Sequence, residues 1–89
     1  MSDIEARLSD LQLKVYEQIK LAGWDGKTVD EIEVAIGRTH QSVSARVNEL
    51  ANWKPKALIE ARAARRKTRA GKPAAVYVLA GCKRAQGEE

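Results

Sequence analysis

Residues 28–50 read TVDEIEVAIGRTHQSVSARVNEL, and the spacing within them decides the fold. Thr28 and Glu31 form a T-x-x-E capping box, with Asp30 and Glu31 in the first turn, where the helix dipole favours acids. Val29, Ile32, Ala35 and Ile36 make a short apolar stripe, and Gly37 stops it. Thr39 can cap the next helix at once. In that helix Val43, Val47 and Leu50 recur at i, i+4 and i+7, within about 60° of arc. Gln41, Ala45, Asn48 and Asn52 lie opposite them, with Ser44 flanking. Two short helices joined through Gly37-Arg38 must cross steeply, and the second then projects its amino-terminal end outward.

Upstream, Ser9 and Gln12 supply an S-x-x-Q capping box flanked by Leu8 and Leu13, the two positions of a hydrophobic staple. Leu11, Val15, Ile19 and Ala22 follow at helical spacing with Tyr16 beside them, and Gly23 ends that helix. A start at Ser2 with Glu5 as capping partner is the alternative. Trp24-Asp25-Gly26-Lys27 reads as a turn with room for a short extended segment. Downstream, Pro55 disfavours helix at Lys54, so the third helix ends near Trp53. Leu58–Arg62 and Ala75–Leu79 read as strands, and Arg65–Pro73 as the tip between them, with Gly71 supplying a positive φ. The expectation is a mainly α chain with a small β-hairpin: a winged helix-turn-helix of three helices plus a two-stranded wing. Residues 1–8 form an N-terminal extension or early helical turn, 9–80 the domain and 81–89 a tail.

Eighty-nine residues with 44% hydrophobic and 31% charged side chains suit one domain with an aliphatic core, since Phe is absent. No apolar run reaches the roughly 20 residues that span a membrane, and Met1–Glu5 lacks the pattern of a signal peptide. The expectation is a cytoplasmic protein of a bacterial cell or phage-infected host, without a membrane partner. Cys82 is the single cysteine and His40 the single histidine, which leaves no ordinary zinc set. No catalytic constellation or phosphate loop is recognisable, so neither enzyme activity nor a cofactor is expected.

Charge is distributed unevenly. Residues 1–37 carry four basic and eight acidic side chains, whereas residues 38–87 carry twelve basic and two acidic. A split from −4 to +10 points to a polyanion for the second half, the alternative being a solvated basic face. On the third helix Thr39, His40, Gln41, Ser42, Ser44 and Asn48 are small or hydrogen-bonding groups of the kind a DNA major groove admits. Gln41 and Asn48 are suited to adenine. Arg46 sits at the margin, either on a phosphate or paired with Glu49 or an acid of the preceding helix. In the hairpin Arg62, Arg65, Arg66, Lys67, Arg69 and Lys72 crowd together without an acid. Five phosphates neutralised there would give a salt slope of about −4.5, roughly a 500-fold loss between 50 and 200 mM. Arg38, Lys54 and Lys56 are further candidate phosphate contacts. Trp24 and Trp53 read as core edges.

Thr28–Leu50 resembles the helix-turn-helix of small bacterial and phage winged-helix regulators. Arg66–Tyr77 (RKTRAGKPAAVY) is similar to their wings, which carry R-x-T-x-x-G-K/R-x-A-x-V-Y. The resemblance covers most of residues 9–79. It implies that Thr39, Gln41, Ser42, Ser44 and Asn48 lie in or near the groove and that Arg65–Lys72 tip the wing. It departs at Ala51–Ala57, a connection longer than the family's and without its glycine. The implied function is sequence-dependent binding of double-stranded DNA in transcription regulation. The alternatives are a protein-interaction module, such as a phage protein that occupies a host or viral enzyme, and a non-specific architectural DNA accessory. Palindromic sites would require a homodimer, for which residues 1–8 and Trp53 are the candidate contacts.

Overall fold

The computed structural model describes residues 6–54 and 56–81. The early start at Ser2, the break at Pro55, the Cys82 thiol and the tail beyond Gly81 lie outside the described residues.

The longer helices begin where local chemistry supplies a cap. In α1 (Asp10–Ala22), Ser9 and Gln12 satisfy one another's backbone N–H groups. In α2 (Val29–Ile36), Thr28 and Glu31 do the same at 3.0 and 3.1 Å. In α3 (His40–Ala51), the Thr39 hydroxyl accepts from the Ser42 N–H at 3.2 Å. Such caps satisfy donors that would otherwise lack partners, each typically worth about 1 kcal/mol. Gly37 closes α2 in the left-handed conformation, at φ 68°.

The three helices enclose an aliphatic core of Leu8, Val15, Ile19, Ile32, Val43, Val47, Leu50 and Ile59. All three apolar residues expected in α3 are buried. Burial of a Leu or Ile side chain of this kind contributes about 1.5–3 kcal/mol. Leu8, ahead of the first cap, belongs to this core, and Trp53 packs against it. Leu21 and Val34 are the exposed large apolar side chains among the described residues.

Beyond α3, the Leu58 N–H donating to the Leu50 carbonyl at 3.0 Å pins the base of the hairpin to the last turn of that helix. Strands β1 (Ile59–Lys67) and β2 (Pro73–Leu79) are longer than the sequence suggested, so the tip shrinks to residues 68–72. Within it the Thr68 hydroxyl accepts from Ala70 and Lys72, and Gly71 adopts φ 81°.

The expected two-stranded wing needs a correction, because the sheet is three-stranded and the architecture mixed α/β. Lys27 is the third strand: its N–H donates to the Tyr77 carbonyl at 3.0 Å, and the Tyr77 N–H to its carbonyl at 2.8 Å. A single bridging residue carries no alternation to read, so the sequence offered only a turn with room for a short extended segment and no third strand. Gly26 makes this approach feasible. A β-carbon there would stand 2.5 Å from the Tyr77 carbonyl oxygen and 2.6 Å from Val76 Cγ1, and its φ is +67°.

The hairpin is irregular. Ala61 opposes Tyr77 and Arg65 opposes Ala75, so residues 62–64 of β1 face the lone Val76 of β2. This bulge bends β1 and increases its twist. Both faces of β2 are covered. Val76 and Val78 are buried on the side of Gly26, whereas Tyr77 and Leu79 pack on the helical core. No helix among the described residues is long and apolar enough to cross a membrane.

Candidate functional site

Strand alternation separates Arg66 from Arg65 and Lys67, and bonded partners sort all six basic residues of the hairpin into two sets. Directly opposed residues share a face of a sheet. Arg66 opposes Ala74 and therefore projects on the side of Val76 and Val78, toward the Gly26 segment. There its guanidinium donates to the Gly26 carbonyl at 2.9 Å and to Glu31 Oε1 at 2.9 Å, with Nε 2.8 Å from Oε2. Arg62 lies against the same segment. It donates to the Trp24 carbonyl at 2.8 Å, and its guanidinium stands 4.7 Å from the centre of the Trp24 ring. At the tip Arg69 reaches Asp30 at 2.6 Å and Glu33 at 3.2 Å. The three arginines form a clasp between the hairpin and the acidic amino-terminal half of the chain.

The other set is Arg65, Lys67 and Lys72, all exposed. Among the described residues none of them has a side-chain hydrogen bond or ion pair. Arg65 opposes Ala75 and Lys67 opposes Pro73, which places both on the Tyr77 face of the hairpin. That face borders an open groove of about 620 Å³, lined across from Tyr77 by Gln41, Ser44, Ala45 and Asn48 of α3. Val29, His40, Val47 and Ala51 line it too. The groove thus offers two carboxamides and a hydroxyl on one wall, and on the other Tyr77, whose face of the hairpin also carries Arg65 and Lys67.

The remaining α3 residues divide likewise. Arg46 pairs with Glu49 at 2.7 Å, and Glu49 accepts from Gln12 of α1 at 2.7 Å, so Arg46 belongs to the α1–α3 contact. The Gln12 bond lowers the Glu49 carboxyl pKa, burial opposes this, and Arg46 adds to the lowering. His40 is exposed, with Nδ1 2.6 Å from Glu33 Oε2, so Glu33 bridges His40 and Arg69. Thr39 and Ser42 are engaged in the cap, their hydroxyls 3.1 Å apart. Arg38, Lys54 and Lys56 are exposed and without an ion-pair partner among the described residues.

Burial of Glu31 works against its charge. The Thr28 N–H, the Arg66 guanidinium and the nearby Lys27 outweigh that and hold its carboxyl below the usual range. The residue that caps α2 therefore also receives an arginine of the hairpin. Sequence reasoning missed this second role, and the only signal for it was the excess of acids in the first half facing the excess of bases in the second. Comparison with known proteins returned no matching family, no matching curated protein and no matching solved structure.

Proposed function

We propose that this chain is a winged helix-turn-helix domain that binds double-stranded DNA in a sequence-dependent manner and serves in transcription regulation. Helix α3 would occupy the major groove, and the Arg65–Lys67 face of the hairpin the backbone or the adjacent minor groove. One observation carries the reading: the acid-free wall Gln41–Ser44–Ala45–Asn48 shares a groove with a strand face that bears unpaired cations. Phosphate repels carboxylates and rewards cations without competing partners, whereas base edges in the major groove reward amides and hydroxyls.

A gel shift with selected and random duplexes between 50 and 200 mM salt tests the proposal. The free wing set of three cations gives an expected slope of about −2.7, close to a 40-fold loss over that range. Selected duplex should bind more tightly than random, and Arg65→Ala with Lys67→Ala should weaken both. Equal affinity for every duplex would favour an architectural role. Absence of retention at low salt would leave a protein partner, for which the exposed Leu21 and Val34 are the supporting observation.

A further inference from the structure

We infer that the outward face of α3 reads A·T base pairs, with Gln41 and Asn48 as adenine-recognising groups, Ala45 against a thymine methyl, and Asn52 as the residue that positions Asn48. This deepens the duplex-DNA reading and rests on it.

Arginine and lysine favour guanine, and aspartate and glutamate accept from cytosine. Asparagine and glutamine pair with adenine N6 and N7, while small apolar groups meet the thymine methyl. No arginine, lysine, aspartate or glutamate is among the described residues that line the groove. Arg46 is held by Glu49 on the α1 side, and His40, which lines the groove beside Gln41, has its Nδ1 engaged by Glu33. Exposed Gln41, Ala45 and Asn48, with half-buried Ser44, remain at the groove. Two carboxamides, a methyl and a hydroxyl constitute an A·T vocabulary.

The Asn48 carboxamide is also oriented. Asn52 Nδ2 donates to the Asn48 backbone carbonyl at 2.8 Å and to Asn48 Oδ1 at 3.1 Å. A backbone carbonyl only accepts, so the Asn52 atom facing it must be the amino nitrogen. The Asn48 atom facing that same nitrogen must then be its oxygen. Asn48 Nδ2 is thereby turned away from Asn52 and free to donate to adenine N7. Oδ1 retains a lone pair for adenine N6. An amide fixed in this way loses less freedom when it binds.

The test is selection by the full chain from a duplex pool randomised over about two helical turns. Enriched sites should be A·T-rich beneath α3. Asn48→Ala and Gln41→Ala should each abolish preference at one base pair, a loss of about 5- to 150-fold in discrimination. Asn52→Ala should weaken preference at the Asn48 base pair while overall salt dependence stays the same. Asn52→Asp should abolish it, since an acceptor-only side chain draws Asn48 Nδ2 toward itself and reverses the amide. Duplex binding with G·C-rich or absent preference overturns the A·T inference and spares the DNA reading. Failure to bind any duplex overturns both. A base preference that survives Asn52→Ala and Asn52→Asp but is lost in Asn48→Ala removes Asn52 from the proposal.

Discussion

Arg69, at the tip of the hairpin, closes on Asp30 at the start of α2: its Nε donates to Oδ1 at 2.6 Å and its backbone N–H to Oδ2 at 3.2 Å. Glu33 accepts a further bond from the same guanidinium. The tip is therefore tied to the helix that precedes α3, and Arg69 does not stand free. A polyanion would have to compete with two carboxylates for it.

Release of that arginine should strengthen polyanion binding. Asp30→Asn combined with Glu33→Gln is expected to tighten duplex affinity at low salt and to steepen the salt slope by about 0.9, one phosphate's share. Titrations at several salt concentrations measure both. An unchanged slope would mean that Arg69 never reaches phosphate.

Arg62 should behave oppositely. Its bond to the Trp24 carbonyl and its stacking on the Trp24 ring serve the fold. Arg62→Ala is expected to cost about 1–3 kcal/mol in urea unfolding, as for other hydrogen bonds from charged groups. Its salt slope should match that of the unaltered protein, in contrast with Arg65→Ala.

Gly26→Ala is expected to destabilise by about 2–4 kcal/mol, combining a strained positive φ with overpacking. The added methyl would meet the backbone of β2, which cannot yield without loss of the Lys27 bridge. Gly37→Ala is the control, with nothing within 4 Å of the new carbon. It should cost about 1–2 kcal/mol, from backbone conformation alone. Thermal melts of the two variants compare them directly.

Acid should loosen the clasp. The Glu31 carboxyl is depressed in the folded protein, so its stabilisation is complete above the unfolded glutamate pKa and is lost as pH falls through the lower folded value. Glu49 acts in the same direction. Urea midpoints measured from pH 7 to about 3 should fall below roughly pH 4.3, the unperturbed glutamate value. Glu31→Gln should lower the midpoint at neutral pH and flatten the acid limb. An acid limb that stays as steep in Glu31→Gln would exclude Glu31 as its source.

The features legible in the residues were those whose cause lies within a few positions. Ser9 with Gln12, Thr28 with Glu31, and Thr39 with Ser42 bond across three residues, and the buried set Val43, Val47 and Leu50 follows from helical geometry. The outward face of α3 was legible for the same reason, being whatever the apolar stripe leaves over. The basic hairpin was legible as a concentration of charge, but its internal division was not. Arg62, Arg66 and Arg69 find their partners 35 to 40 residues away, and the bulge at residues 62–64 resets which side chains share a face.

By itself, then, the order of residues determined the helices, their caps, the aliphatic core and the presence of a cationic hairpin, because these depend on local hydrogen bonds and on the period of apolar side chains. Only the tertiary structure decided which cations are spent on Asp30, Glu31 and Glu33 and which remain open beside Gln41 and Asn48. Ion pairs between distant segments depend on how the bulged hairpin bends over α2. The Lys27 bridge that Gly26 admits holds β2 beside the Gly26 segment, a contact that neither periodicity nor composition encodes.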